Sequence, residues 1–214
     1  MNTDYEMKVV HEDPLFVVIE KPSGLLSVPG RGPEMQDCIV NRLKVLYPHC
    51  MEQPSVHRLD MDTSGLLVLA LDKETHRSLS IQFQNREVEK SYVAIVDGVI
   101  EGEGGTIELP FRLDPDNRPY QVYDEEQGKM GLTHWSKIEV VENRTRISFK
   151  PVTGRTHQLR LHASHVKGLG FSIVGDRLYG TGTAPGQLKL HACLLSFTHP
   201  VTGEVMSFSS EPTF

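Results

Sequence analysis

Apolar residues along this chain fall into short runs separated by turn-forming residues, the pattern of strands with a few helices among them. Leu15–Glu20 clusters Val and Ile ahead of Lys21-Pro22-Ser23-Gly24 and reads as a strand entering a turn. A second turn-rich stretch, Val28-Pro29-Gly30-Arg31-Gly32-Pro33, follows. Ile39, Leu43 and Leu46 then recur at helical spacing, which predicts a helix over Cys38–Leu46, capped by Asp37 and stopped by Pro48. Leu66–Leu71 is an unbroken apolar run of strand length, as expected of a buried strand. Asp72 is placed to cap a helix to about Arg86, with Leu79 and Phe83 facing the core, and Tyr92–Val96 alternates as a strand.

The pattern weakens between Asp97 and Lys129, an acidic stretch rich in Gly and Pro, which reads as loops and an irregular insertion. Thr133–Val141 and Arg144–Lys150 form a predicted hairpin turned at Glu142-Asn143. Thr156–Val166 fits a helix with Gly168 as its C-cap, and the last strands are expected at Leu188–Cys193, Leu195–Thr198 and Glu204–Ser209. There is no internal repeat. Strands and helices intermixed through hairpin-type links indicate an α+β fold, with a mixed, largely antiparallel sheet and flanking helices.

The 214 residues suit one domain or two tightly fused lobes, and a core that needs no disulfide or metal. Cys38, Cys50 and Cys193 are odd in number and scattered, which argues for a reducing, cytoplasmic compartment. Met1–Lys8 holds Asp4 and Glu6 and lacks the apolar segment of a secretory leader, and the apolar runs are too short for a bilayer, so no membrane partnership is expected. The formal net charge of −6 does not advertise a polyanion binder. Its distribution changes that picture. Lys150–Arg177 holds five Lys/Arg and one Asp, a local +4, whereas Val99–Phe149 holds six Lys/Arg against ten Asp/Glu, a local −4. A basic segment on an acidic chain can bind phosphates while the remainder keeps the protein soluble.

Two clusters concentrate chemistry. Val56-His57-Arg58-Leu59-Asp60-Met61-Asp62-Thr63-Ser64-Gly65 sets ionisable residues directly before the Leu66–Leu71 strand, where a rigid element can hold an active loop. A solvated surface loop is the equally weighted bland reading of that segment alone. Lys150-Pro151-Val152-Thr153-Gly154-Arg155-Thr156-His157-Gln158-Leu159-Arg160-Leu161-His162 opens a helix whose N-terminal backbone can face an anion, with Arg160 and His162 suited to phosphate contact. An amphipathic helix accounts for Leu159 and Val166 but not for the basic and amide residues beside them.

These clusters, with Lys21-Pro22-Ser23-Gly24-Leu25, Lys90-Ser91-Tyr92 and Gly175-Asp176-Arg177-Leu178-Tyr179-Gly180, carry a resemblance to the RluA family of pseudouridine synthases, from about Leu15 to Pro200 and in the family's order. His57-Arg58-Leu59-Asp60 with Thr63-Ser64-Gly65 is similar to its catalytic motif. The resemblance implies the pseudouridine synthase fold with a central catalytic cleft, in a single catalytic domain over 1–214 without a separate N-terminal RNA-binding domain. It implies isomerisation of uridine within ribosomal RNA, transfer RNA or both, on structured stem-loops. No cofactor, metal or obligatory protein partner is expected, since the reaction contains no redox or metal step. Asp60 would be the catalytic carboxylate, Arg155 its compensating cation, and Tyr92 the ring against the uracil. Arg58 would enter the space left by the flipped base, and Leu159 would line the opposite wall. His57, Gln158, Arg160 and Lys21 would contribute RNA or base contacts. Met61, where many relatives carry lysine, is the one small departure.

Three rival readings remain at this point. A metal-dependent hydrolase would draw on His57, His157, His162 and His165, but no HExxH or Cys/His framework is present. A nucleotide-binding module would use Gly180-Thr181-Gly182-Thr183-Ala184-Pro185-Gly186, which lacks the Gly-Lys-Ser/Thr ending and a following helix. A non-catalytic RNA-binding or RNA-folding protein would use the same cleft without turnover.

Overall fold

The computed structural model describes residues 7–214, so most of Met1–Lys8, read above as lacking a leader, lies outside it. The chain forms two compact units, Met1–Lys90 with His191–Phe214, and Ser91–Leu190. Both are α+β, and within each unit the strands pair antiparallel, except for one parallel pair in the first. Among the described residues, no helix is long and apolar enough to cross a membrane.

In the first unit, β1 (Lys8–Glu12), β2 (Phe16–Lys21) and β3 (Ser64–Ala70) form an antiparallel ladder. β9 (Leu190–Thr198), which begins at the unit boundary, joins β3 in parallel through Ser64–His191 and Gly65–Ala192, and β10 (Val205–Ser209) closes on β9. The unbroken apolar run forms β3 because Leu66 through Ala70 are buried on both faces. Gly65 is required where β3 meets β9. Its φ is +111°, and a Cβ there would lie 2.3 Å from the carbonyl oxygen of Ala192.

Helix α1 (Ile39–Leu46) is capped by Cys38, whose sulfur accepts from the Asn41 N–H. Asp37, the expected cap, instead holds Arg42 through both carboxylate oxygens. Helix α2 (Lys73–Asn85) matches expectation at both ends: Asp72 accepts from the N–H groups of Glu74 and Thr75, and Arg86 closes the helix in the left-handed conformation. Leu79 enters a core with Phe16, Val18, Leu66, Val68 and Phe197, while Gln82 bonds both backbone groups of Thr198.

The second unit is an antiparallel sheet in the order β4 (Glu89–Val96, its first two residues in the other unit), β8 (Arg144–Pro151), β7 (Lys129–Val141), β5 (Gly104–Leu113), β6 (Gln121–Tyr123). The β7–β8 hairpin turns at Glu142-Asn143 as expected. The stretch read as an irregular insertion contains β5 and β6, a correction with a clear cause. Ile107, Leu109 and Phe111 alternate into the core, but Gly104-Gly105 and Pro110 dilute the strand pattern, and that part of β5 is ordered by its pairing with β7, a long-range partner. Helix α3 (Gln158–Ser164) is shorter than Thr156–Val166, because His157 takes a left-handed conformation at its start and His165 is extended at its end. Leu190–Thr198 is one strand, not two.

His162, on α3, is fully buried against Phe111, with both ring nitrogens lacking a hydrogen-bond partner. A Cβ added at Gly131 would stand 2.9 Å from its Nε2. Burial pushes this imidazole from 6.5 down to about 4.

Two stability predictions follow from these contacts. Gly65→Ala should lower the free energy of unfolding by about 2 kcal/mol or more, from backbone strain and collision with Ala192 together, read as a shifted urea midpoint at unchanged slope. His162 is neutral in both states above pH 6.5, and below it only the unfolded chain takes up the proton. Stability should therefore fall by up to about 1.4 kcal/mol per pH unit between pH 6.5 and 4 on its account. His162→Leu should remove roughly one proton from that pH dependence, measured by urea unfolding at pH 7.5 and 5.

Candidate active site

The segment His57–Thr63 leads into β3, and its backbone is fastened almost residue by residue. His57 stacks on Phe83 of α2 with ring centroids 4.4 Å apart, and its Nε2 accepts from the Val68 N–H at 3.1 Å. Burial first, and the charge of Lys90 second, push its imidazole down to about 3, so it is neutral and can act as that acceptor. The Ser55 hydroxyl donates to the His57 carbonyl. Leu59 is buried, its N–H donates to Ser27 Oγ, and the Ser27 hydroxyl donates back to the Leu59 carbonyl. A tight turn closes the segment through the Thr63 N–H and the Asp60 carbonyl, 3.1 Å apart. Within this frame the Arg58 side chain is exposed and Asp60 is half-buried.

Beneath the turn lies Lys21, at 0% exposure. Its Nζ donates to the carbonyls of Pro22 (2.8 Å), Leu25 (2.7 Å) and Met61 (2.9 Å), one acceptor for each ammonium proton. Burial pushes Lys21 down to about 7, against the opposing pull of the Asp60 and Asp62 charges. The Gly24 N–H donates to the same Met61 carbonyl, and the Ser23 hydroxyl to that of Asp62. Lys21 therefore has no surface to offer RNA. The expected contact is replaced by an internal one, since its charge is spent on the loop that carries Asp60.

In the second unit, Tyr92 lies half-buried on β4 opposite Phe149, packed against the core. Arg155 is exposed, its Nε 3.5 Å from the Met130 carbonyl. Gln158 is buried and braces the turn before α3: its Oε1 accepts from the Thr153 hydroxyl and the Arg155 N–H, and its Nε2 donates to the Leu132 carbonyl and Thr133 Oγ1. Arg160, 3% exposed, donates through Nε and NH2 to both carboxylate oxygens of Asp176, itself 0% exposed. Gln158 and Arg160 were expected at RNA. Both point inward, because each has a buried partner from a distant part of the chain. Leu159 is buried in the core of this unit.

Sequence reasoning singled out Asp176 and Tyr179 only as part of a motif. Asp176 also accepts from the N–H groups of Leu178 and Tyr179, and the Tyr179 hydroxyl lies 2.8 Å from His157 Nδ1. It gave no role to Ser27, and none to His191, a buried ring bonded to the hydroxyls of Ser64 and Ser210. Nothing local marks these residues. Among the described residues, no three His, Cys, Asp or Glu side chains group as a metal site would require.

Comparison with known proteins bears on both units. Residues 15–165 match the family model for RNA pseudouridylate synthase. The chain is 45% identical to the dual-specificity RNA pseudouridine synthase RluA of Pasteurella multocida, covering 99% of this chain and 96% of that protein. It is 42% identical to the protein of that name from Escherichia coli K12, covering 96% and 93%. Two solved human structures, of RNA pseudouridylate synthase domain containing 4 and 1, superpose with TM-scores of 0.74 and 0.76, each at 27% identity. They cover 96% and 98% of this chain, and 88% and 84% of theirs. The resemblance borne by the His57–Gly65 and Gly154–His162 motifs thus extends over nearly the whole chain, and the chain belongs to the RluA family of RNA pseudouridine synthases, isomerases that convert uridine to pseudouridine.

Proposed function

We propose that this synthase modifies uridines in structured stem-loops of both ribosomal and transfer RNA, in the cytoplasm and without an obligatory protein partner, with Asp60 as its catalytic carboxylate. The breadth of substrate rests on the dual-specificity relatives at 42–45% identity over nearly the full chain. The assignment of Asp60 rests on one observation: the loop backbone around it is immobilised by Lys21, Ser23, Ser27 and His57, while its own side chain and that of Arg58 are left at least partly exposed. Catalytic groups act well only when held to within a fraction of an ångström, and a loop pinned in this way meets that requirement.

The reaction breaks the C1′–N1 bond of uridine, turns the captive uracil and joins C5 to C1′, after which the C5 proton leaves. Asp60 acts ionised, as nucleophile or base at the ribose–uracil junction. The target nucleotide must leave its stack, at a cost of roughly a few kcal/mol, and Arg58 supplies a planar group to occupy the gap. Tyr92 offers a ring for the uracil, a contact of about 1–3 kcal/mol, and Arg155 supplies compensating positive charge, while Leu159 contributes as a core residue of α3. His57, Lys21, Gln158 and Arg160 serve RNA binding indirectly, by holding the segments that carry these groups.

Asp60→Asn should reduce tritium release from RNA labelled at uridine C5 by more than about a hundredfold while RNA affinity stays within about twofold. Turnover near the normal rate would remove Asp60 from the chemistry, and equal product release by a binder without turnover is impossible, so the assay also separates the RNA-binding reading. Arg58→Ala should slow conversion of a stem-loop more than of an RNA whose target is already unstacked, because only the former needs the flip. Equal losses on both would reassign Arg58 to phosphate contact.

A further inference from the structure

We infer that Tyr179 is a positioning residue for Arg155, acting through the imidazole of His157. The inference rests on the role given to Arg155 above. His157 stands two residues after Arg155 and adopts φ 57°, ψ 17°, the left-handed region that a residue with a Cβ enters at a cost of about 1–3 kcal/mol. Its side chain gives α3 no cap hydrogen bond, so local capping does not account for the conformation. A distant contact holds the ring: His157 Nδ1 and the Tyr179 hydroxyl share a hydrogen bond of 2.8 Å, with the rings packed edge to face.

Tyr179 is itself held from several sides. The Gln121 N–H donates to its hydroxyl oxygen at 2.8 Å, which ties the end of the β5–β6 loop to the same atom. The Arg160 guanidinium lies 5.3 Å from its ring centroid, and Tyr120 packs on it edge to face. Its N–H donates to Asp176, the partner of Arg160. The phenol is therefore a fixed point, and His157 hangs from it. Between His157 and Thr153 the turn is short and closed by Gln158, which accepts from the Arg155 N–H and the Thr153 hydroxyl. Gln158 fixes the near side of this turn and Tyr179 the far side, so the exposed Arg155 side chain leaves the backbone in one direction.

Removing the hydroxyl alone, in Tyr179→Phe, keeps the ring, its packing and its place over Arg160. The turn should then sample other conformations, lowering kcat for tritium release by about tenfold to a hundredfold while RNA affinity stays within about twofold. The decisive readout is a double-mutant cycle with Arg155→Ala, measured well below the melting temperature of each variant. If Tyr179 works through Arg155, adding Tyr179→Phe to Arg155→Ala should cost less than about twofold further. Unchanged kcat in Tyr179→Phe, or multiplicative losses in the pair, would overturn the inference, whether or not the variant is less stable. Normal kcat in Arg155→Ala would instead overturn the reading of Arg155 on which it rests.

Discussion

A buried lysine whose Nζ donates to three backbone carbonyls is the interaction on which the Asp60–Thr63 turn depends. A turn such as Asp60–Thr63 makes few hydrogen bonds of its own, and its carbonyls would otherwise point into solvent in many arrangements. Lys21 collects the Met61 carbonyl together with those of Pro22 and Leu25, so the turn at Lys21–Leu25 and the turn at Asp60–Thr63 become one body. The charge matters as well as the geometry. A neutral donor would not answer the two carboxylates of Asp60 and Asp62, whose attraction opposes the desolvation of Lys21. Removing Lys21 would leave the buried carbonyls of Pro22 and Leu25 without this donor and withdraw a positive charge from Asp60 and Asp62, which is costlier than the loss of one contact.

The same division of labour recurs in the second unit. Arg160 and Asp176 form a fully desolvated, two-point ion pair, an arrangement that adds little net stability over an apolar pair but permits one geometry only. Asp176 uses its remaining capacity on the backbone of Leu178 and Tyr179. Gln158, also buried, uses its amide oxygen on the turn before α3 and its amide nitrogen on Leu132 and Thr133 of β7, tying the two together. In both units, ionisable or amide side chains next to the residues assigned to chemistry turn inward and hold their segments in place, and the neighbour proposed for chemistry keeps an exposed side chain. A motif dense in polar residues is therefore mostly scaffold.

That division explains what could be read in advance. Periodicity identified β3, α2 and the β7–β8 hairpin because their signals are local: five consecutive buried apolar residues, an Asp at a helix start, a two-residue turn. It failed at β5 and β6, whose pairing partner supplies what Gly104, Gly105 and Pro110 withhold. The site divides along the same line. The residue types at Asp60, Arg58 and Arg155 announced chemistry, and the structure leaves all three at least partly exposed. Lys21, Gln158 and Arg160 suggested RNA contact by the same token, yet the structure turns them inward, because a polar residue is visible in a sequence whereas its partner, 40 residues away for Lys21 and Met61, is not.

Inward-turned charges also bear on how an acidic protein handles a polyanion. The local +4 over Lys150–Arg177 overstates the cationic surface there, because Arg160 is cancelled by Asp176 and Lys167 is shared with Glu125 and Tyr123. Of the five basic residues in that segment, Lys150, Arg155 and Arg177 keep exposed side chains outside those two pairs. That segment therefore offers phosphates less positive charge than its residue count suggests, so counterion release there is correspondingly smaller. On the proposed mechanism, contacts to the displaced nucleotide, through stacking and the occupied gap, add affinity that a stacked or wrong-shaped RNA does not gain. Low net charge is thus compatible with an RNA enzyme that selects by shape, because weak phosphate binding leaves discrimination to the step in which the base leaves its helix.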